Sequence, residues 1–171
     1  MSNRLENLQN KVLTWQEALQ LRGIWQLKNQ KVAFTNGCFD ILHLGHISYL
    51  SQAADCANKL IVGLNTDRSV RQLEKAPNRP INEEKARALV LAALSFVDAV
   101  VLFDQNTPLE LIEKLQPDVL IKGADYDVNQ NDTTAKDYIV GSKEVQNYGG
   151  IVKTIPLVEG YSTTSLIAKG K

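Results

Sequence analysis

The sequence lacks several features that would place it in common classes of protein. It has 171 residues, of which two are cysteines and two are histidines. Two cysteines are too few for the disulfide framework of a small secreted protein, so a reducing, cytoplasmic location is expected. The chain has no apolar run of about 18 residues, the length that predicts a membrane-spanning helix, and its first residues lack the apolar core of a secretory signal.

An excess of charge of either sign is also absent. Nineteen basic residues balance nineteen acidic residues, so the formal net charge is zero. Proteins that bind nucleic acid usually carry a basic surface. We therefore expect neither nucleic acid nor a membrane as a partner.

The common phosphate-binding loops are missing as well. No GxGxxG follows the first predicted strand, which argues against a dinucleotide-dependent dehydrogenase, and no GxxxxGK[ST] is present, which excludes the P-loop class. No HExxH or CxxC pattern supports a zinc site. Any phosphate chemistry must therefore rest on another motif.

Both histidines lie in one such motif, His43-Leu44-Gly45-His46, between a predicted strand and a predicted helix. A helix N-terminus attracts anions through its free N–H groups and its dipole. Imidazoles placed there add hydrogen-bond donors for charge that builds up on phosphate oxygens. Two alternatives are helix capping alone and zinc binding with Cys38 and Asp40, but zinc needs three or four ligands in a recognisable pattern. We expect a phosphate-handling site and no protein-bound metal.

Alternating strand and helix patterns predict the fold class. Short runs rich in Val, Ile and Leu predict strands over residues 31–35, 60–64, 99–103, 119–121 and 151–155. Helical patterns separate these strands, and a capping box at Thr14 and Glu17 starts a helix that extends to about Leu27. The chain should form an α/β fold, a doubly wound, Rossmann-like parallel sheet of about five strands. Residues 1–30 should form a helical extension and residues 31–171 the main domain.

Two polar loops interrupt this pattern, at residues 74–80 and at residues 127–137. Such loops in α/β domains either border the ligand crevice or lie on the surface away from it. The second loop, which is rich in Asn, is expected to be surface decoration. A third feature, Thr107-Pro108-Leu109-Glu110, predicts a capped helix start with a first-turn proline.

The first strand continues into Thr-Asn-Gly-Cys-Phe-Asp and then into the two histidines, and this run resembles the HxGH nucleotidyltransferases of the cytidylyltransferase-like superfamily. The resemblance extends from about residue 31 to the C-terminus. Its further segments are residues 63–67, 79–81, 84–98, 121–126 and 160–165. Together they look most like the adenylyltransferase half of the ADP-heptose synthases, which join ATP to D-glycero-β-D-manno-heptose 1-phosphate for the lipopolysaccharide core.

The resemblance implies a set of site residues. His43, His46 and Lys122 would be catalytic. Nucleotide and phosphate groups would be bound by Thr35, Asn36, Gly37, Phe39, Gly45, Arg87, Ser162, Thr163 and Thr164. The sugar phosphate or nucleotide would contact Asp40, Asn65, Asp67 and Asp125.

Several of these residues have simpler explanations that stay open. The Ser-Thr-Thr run could only cap a helix, Arg87 could lie solvated on the polar side of its helix, and Lys122 could be an exposed strand end. Asp40 would orient either the sugar phosphate or its own loop. Lys122 and Asn65 end predicted strands at the edge where open α/β sheets bind ligands, which favours the functional interpretation.

One departure from the family pattern bears on the substrate. Many cytidylyltransferases carry an arginine and a threonine before the Gly-Ile-Ser-Thr-Thr segment, whereas this chain has Leu157-Val158-Glu159-Gly160-Tyr161. The missing arginine weakens a glycerol-phosphate or choline-phosphate cytidylyltransferase interpretation. That interpretation and a non-catalytic nucleotide-binding regulatory domain are the two alternatives to adenylyl transfer.

The expected reaction is direct transfer of the adenylyl group from ATP to the sugar phosphate, with pyrophosphate leaving. Because the nucleophile is already an anionic phosphate, catalysis reduces to positioning and charge neutralisation. Mg²⁺ should be carried on the triphosphate with few protein ligands. The family often carries a sugar-kinase domain ahead of the transferase domain, whereas here only residues 1–30 precede it. We therefore expect the kinase on a separate chain. A homodimer is possible.

Overall fold

A computed structural model describes residues 3–73, 78–161 and 163 of the chain. The helices are α1 (Arg4–Gln9), α2 (Trp15–Leu27), α3 (Leu44–Ala54), α4 (Asp67–Gln72), α5 (Glu84–Ala92), α6 (Leu109–Leu115) and α7 (Ser142–Asn147). The strands are β1 (Val12–Leu13), β2 (Val32–Gly37), β3 (Lys59–Asn65), β4 (Ala99–Phe103), β5 (Val119–Gly123) and β6 (Ile151–Ile155). Among these helices, none is long and apolar enough to cross a membrane.

The strands form one parallel sheet in the order β1-β4-β3-β2-β5-β6. The predicted α/β doubly wound class is therefore confirmed, with six strands rather than about five. The additional strand, β1, has two residues and pairs with Val100 and Val101 of β4. A run this short leaves no periodic signal in the sequence.

The central strands are buried on both faces, and alternate residues of β3 enter two different cores. Leu60, Val62 and Leu64 pack on one face of the sheet, while Ile61 packs on the other. This is the period-two geometry of a strand that is covered by helices on both sides. The almost continuous apolar sequence of these strands follows from that double burial.

The N-terminal segment contributes more than the single added helix that was expected. The predicted capping box of α2 is present, because the Thr14 side chain accepts from the Glu17 N–H and Glu17 accepts from the Thr14 N–H. Ala18 and Trp25 of α2 are buried against the sheet, and β1 extends its edge. The division between an extension and a main domain at residue 30 stays a prediction.

The predicted start of α6 is wrong in detail. The helix begins at Leu109, its N-cap is Pro108, and no side-chain cap hydrogen bond forms. Proline at this position cannot use a hydroxyl or carboxylate to satisfy the first N–H groups. Asn106, Thr107 and Pro108 line a cavity in the structure.

Candidate active site

The site begins at the turn between β2 and α3, where His43 is the N-cap of α3. Its Nδ1 accepts a hydrogen bond from the His46 backbone N–H, with an N···N distance of 3.4 Å. The two imidazoles stack, with ring centroids 3.8 Å apart and an interplanar angle of 23°. The edge of the Phe39 ring contacts His46, with centroids 5.2 Å apart. Capping and ring packing thus fix both imidazoles at the helix start.

The glycine between the histidines is required by this packing. A Cβ at Gly45 would lie 3.0 Å from the His43 ring and 3.3 Å from the Cβ of Tyr161. A larger residue would therefore push the His43 ring or Tyr161 away. The HxGH spacing thus places His43 at the cap and His46 in the first turn of α3, and Gly45 leaves space for the His43 ring.

Both histidines favour the neutral form. The pKa of His46 is lowered to about 4, first by burial and then by the adjacent His43, against a backbone hydrogen bond with Ile41 that raises it. Burial also lowers the pKa of His43. His46 Nδ1 is buried and has no hydrogen-bond partner among the described residues. A neutral imidazole with an unused nitrogen can bind a phosphate oxygen once it is oriented or protonated.

Lys122 and Asn36 join the carboxyl ends of two neighbouring strands. The Lys122 ammonium, on β5, donates to Asn36 Oδ1 on β2 at 2.5 Å, and it lies 5.4 Å from the centroid of the Tyr126 ring. Lys122 is 9% exposed, so the ammonium is not a solvated strand end. This resolves one of the alternatives left open by the sequence.

A first cavity of about 410 Å³ opens beside the two histidines. Its walls come from the β2–α3 turn, the end of β5, Arg79 and residues 157, 158, 161 and 163. Among the residues expected at the site, those that line it are Asn36, Gly37, Phe39, Asp40, His43, Gly45, His46, Lys122, Asp125 and Thr163. Eight residues outside that set also line it: Cys38, Tyr49, Arg79, Gly123, Tyr126, Leu157, Val158 and Tyr161.

A second cavity of about 370 Å³ adjoins the first. The two share Asn36, Gly37, Cys38, Lys122 and Tyr126, so they meet at the Lys122 ammonium. The second cavity extends toward Asn65 of β3, the loop before α6 and the 127–137 loop.

The expectation that the 127–137 loop is surface decoration is wrong. Thr133, Ala135 and Lys136 line the second cavity. The loop is closed at its base by a hydrogen bond from the Asp127 N–H to the Asp137 carbonyl, with an N···O distance of 3.0 Å. The polar residues of the loop form its internal hydrogen bonds and also line the second cavity. The sequence alone does not distinguish a polar loop that lines a cavity from one that lies on the surface.

Asp40 ties the turn between β2 and α3 to residues 81 and 82, which lie just before α5. Its carboxylate, 3% exposed, accepts hydrogen bonds from the backbone N–H groups of Ile81 and Asn82. The Asn82 side chain donates back to the Asp40 carbonyl at 2.6 Å. Of the two roles considered for Asp40, the structure shows the one in which it orients a loop.

Arg87 is buried, so the interpretation of a solvated arginine is wrong. Its guanidinium donates to the Asn82 carbonyl, the Cys38 carbonyl and the Asp67 carboxylate, at 2.9, 2.6 and 2.7 Å. The side chain is 2% exposed and does not line either cavity. The sequence could not reveal this, because the three acceptors come from separate segments. The expected grip of Arg87 on pyrophosphate stays a prediction.

The remaining expected residues are placed in different ways. Asn65, 4% exposed, donates to Ser69 and borders the second cavity, whereas Asp67 binds Arg87 and lines neither cavity. Thr35 is fully buried and shares a 2.7 Å hydrogen bond with Tyr49. Tyr49 in turn lines the first cavity. Ser162 and Thr164 lie outside the described residues.

The carboxylates of the first cavity are few. They contain no group of three or more His, Cys, Asp or Glu side chains close enough to hold a metal ion. The Asp40 carboxylate is occupied by backbone N–H groups, and Asp125 lines the first cavity. Mg²⁺ commonly binds through one or two carboxylates, water and substrate phosphates, and a single carboxylate beside a phosphate cavity suits that mode.

Curated relatives share the sequence over nearly all of the chain. It is 53% identical over 162 residues to the bifunctional protein HldE of Koribacter versatilis, which covers 95% of this chain and 32% of that protein. It is 49% identical over 160 residues to the bifunctional protein HldE of Magnetococcus marinus, covering 94% and 31%. The chain therefore spans about a third of the length of these relatives.

Two solved structures resemble the fold. A lipopolysaccharide core biosynthesis protein from Thermoplasma volcanium superposes with a TM-score of 0.57 at 26% identity, covering 78% of this chain and 99% of that one. A pantoate-beta-alanine ligase from Francisella tularensis, in complex with beta-gamma ATP and beta-alanine, gives a TM-score of 0.59 at 14% identity, covering 92% and 76%. The second likeness concerns the fold alone.

A family model settles the assignment. The model of cytidylyltransferase-like proteins matches residues 34–169, which include the HxGH turn, the Lys122 strand end and the 160–165 segment. The match covers most of the chain and agrees with the parallel sheet and with the two cavities at its carboxyl edge. The chain belongs to the cytidylyltransferase-like family and is a nucleotidyltransferase.

Proposed function

We propose that the chain is an adenylyltransferase that joins ATP to D-glycero-β-D-manno-heptose 1-phosphate and releases pyrophosphate. The observation that carries the proposal is the pair of cavities that meet at Asn36 and Lys122. A buried cation between two cavities suits an enzyme in which two phosphate-bearing substrates meet. The heptose identity is supported by the resemblance to the ADP-heptose synthases and by the relative named for lipopolysaccharide core biosynthesis.

The first cavity would hold ATP. Its volume of about 410 Å³ lies in the range of small-molecule sites. Its wall includes the N-terminus of α3, where the helix dipole and free N–H groups favour a polyanion. His43 and His46 would contact phosphate oxygens from this helix start.

The second cavity would hold the sugar phosphate. Its lining is rich in amide and hydroxyl groups, from Asn65, Asn106, Thr107 and Thr133, and it carries the cation Lys136. Amides and hydroxyls match the alternating donors and acceptors of a polyol, and an ammonium matches a phosphate. A hydroxyl-rich anion of sugar size therefore fits this cavity better than an apolar acceptor.

The reaction follows from this arrangement. An oxygen of the sugar phosphate attacks the α-phosphorus of ATP, and a new P–O bond forms as the bond from that phosphorus to the β-phosphate oxygen breaks. Pyrophosphate leaves with the electron pair of that bond. No base is needed to activate the nucleophile, because the attacking phosphate oxygen is already anionic. Lys122, at the junction, would neutralise charge on the two phosphates that approach each other, which are mutually repulsive without it.

The histidines would act on the leaving group. Their lowered pKa values make them neutral before ATP binds, and a triphosphate beside them would favour the protonated form. Each then donates a hydrogen bond to the charge that develops on the departing pyrophosphate. Bound Mg²⁺ would supply further neutralisation of the triphosphate.

A substrate matrix tests the proposal. The full chain is assayed for pyrophosphate release with ATP, CTP, GTP and UTP, each with heptose 1-phosphate, glycerol 3-phosphate or no acceptor. We expect ATP with heptose 1-phosphate to exceed CTP with glycerol 3-phosphate at least about tenfold in kcat/KM, which needs only about 1.4 kcal/mol of differential transition-state binding.

The other outcomes identify the alternatives. A preference for CTP would overturn the heptose assignment and favour a cytidylyltransferase, with the transfer mechanism unchanged. Nucleotide binding without turnover for any pair would indicate a regulatory domain. The homodimer and the separate kinase are parts of the proposal that light scattering of the purified chain and a kinase assay would test.

A further inference from the structure

Arg79 is a cation that faces the first cavity with one side-chain nitrogen unpaired among the described residues. It lines the first cavity, and its Nε is buried without a hydrogen-bond partner among the described residues. A buried guanidinium N–H that lacks an acceptor is unfavourable, so such a group usually has a ligand or water to bind. The cavity beside it is where an acceptor would enter.

A network of hydrogen bonds holds the segment that carries Arg79 against the HxGH turn. Asp40 accepts from the N–H groups of Ile81 and Asn82, and the Asn82 side chain donates to the Asp40 carbonyl. Arg87 then ties the Asn82 carbonyl to the Cys38 carbonyl. Two residues after Arg79, the backbone is therefore fixed to the same turn that presents the histidines.

The charged residues that line the first cavity favour a phosphate-binding role for Arg79. Among the described residues that line it, the cations are Arg79 and Lys122, and the anions are Asp40 and Asp125. Lys122 stands at the junction with the second cavity. Arg87 donates to three protein acceptors and does not line this cavity in the structure. A triphosphate in this cavity needs a cation away from the junction.

We propose that Arg79 binds the pyrophosphate portion of ATP, and that Asp40 is the positioning residue that holds the Arg79 segment in place. The inference rests on the proposed function, because it takes ATP as the occupant of the first cavity. The segment of Arg79 is tied to Asp40, the neighbour of Phe39, and Phe39 contacts His46, whereas Lys122 also lines the second cavity. A guanidinium suits this role because its fork can bind two phosphate oxygens at once.

Calorimetric titration with ATP, AMP and pyrophosphate tests the inference in the full chain. Arg79→Ala should weaken ATP and pyrophosphate binding by about 10- to 100-fold, the range for losing charge-assisted hydrogen bonds. Its AMP affinity should stay near that of the wild type, because AMP lacks the β- and γ-phosphates. Arg71→Ala is the matched control, since Arg71 is exposed on α4 and lines neither cavity; it should leave all three affinities unchanged.

The outcomes separate this inference from the proposed function. A wild-type chain that fails to bind ATP overturns both. A wild-type chain that binds ATP, with an Arg79→Ala variant that binds it equally well or loses AMP affinity to the same extent, overturns the Arg79 assignment alone. Asp40→Asn, checked by thermal unfolding to be folded, should also weaken ATP binding. Adding Arg79→Ala to it should then have little further effect; a full additional loss would contradict the positioning role of Asp40.

Discussion

His43 and His46 lie in stacked contact, with ring centroids 3.8 Å apart, at the first turn of one helix. Two imidazolium ions at this distance would repel each other, and burial disfavours the charged form of each. Both effects favour the neutral form of the pair in the free protein. If ATP occupies the first cavity as proposed, its negative charge would favour protonation of the pair.

His46→Ala should remove most of the activity and leave the fold intact. One imidazole at a helix start contributes modestly to the core, whereas loss of a preorganised donor typically lowers kcat by about 100-fold or more. The measurement is kcat for pyrophosphate release, with thermal unfolding and circular dichroism as the check on folding. A folded variant with near-normal kcat would show that the histidines are structural.

The stability of the protein should fall as the pH is lowered through the range set by His46. Unfolded His46 binds a proton below a pH of about 6.5, whereas folded His46 does so only near its pKa of about 4. The unfolded state therefore gains protons first, and the stability present above pH 6.5 is lost progressively toward pH 4.

Denaturant unfolding at pH 7 and pH 5 measures this effect. The free energy of unfolding should drop more for the wild type than for His46→Asn, by about 1 kcal/mol after allowance for the partial exposure of the ring. The comparison cancels the titration of carboxylates, which both proteins share. Equal losses in the two proteins would mean that His46 has an ordinary pKa.

Lys122→Ala should lower kcat and raise KM for a phosphate-bearing substrate, because the cation at the junction of the cavities is lost. Lys122→Arg should rescue only part of the activity. Its planar guanidinium differs from an ammonium in reach and geometry, so it would not reproduce the contacts with Asn36 and Tyr126. Steady-state kinetics with each substrate varied in turn measures both effects, and unchanged kinetics in the alanine variant would remove Lys122 from the site.

The sequence predicted those parts of the structure that depend on local pattern. The HxGH turn, the capping box of α2 and the five longer strands are each encoded in a few consecutive residues, and all are present. The position of Lys122 at a strand end was predicted in the same way, because the carboxyl edge of a parallel sheet is a general binding edge.

The parts that were missed depend on contacts between distant segments. Arg87 follows a helical pattern that is compatible with a solvated face, and only the folded chain brings the carbonyls of Cys38 and Asn82 to its guanidinium. The 127–137 loop has the composition of a surface loop, and only the folded chain shows its base closed by Asp127 and Asp137 and its residues beside the second cavity. Neither relationship leaves a periodic signal in the sequence.

Lys136 provides a test of which substrate occupies the second cavity. It is exposed on the 127–137 loop and lines that cavity but not the first. If the sugar phosphate binds there, Lys136→Ala should raise KM for the sugar phosphate by about 3- to 10-fold and leave KM for ATP unchanged. The modest size is expected because water and salt screen an exposed cation, and for the same reason the effect should shrink when the ionic strength is raised from 0.05 to about 0.5 M.

Lys153→Ala is the matched control, since Lys153 is exposed on β6 and lines neither cavity. It should change neither KM, which would show that removing a surface cation has no general effect on anionic substrates. An increase in KM for ATP in Lys136→Ala, with KM for the sugar phosphate unchanged, would assign the second cavity to the nucleotide and reverse the direction of attack at the α-phosphorus. An effect confined to the sugar phosphate identifies the 127–137 loop as a wall of the acceptor site, because no other property of an exposed lysine would distinguish the two substrates.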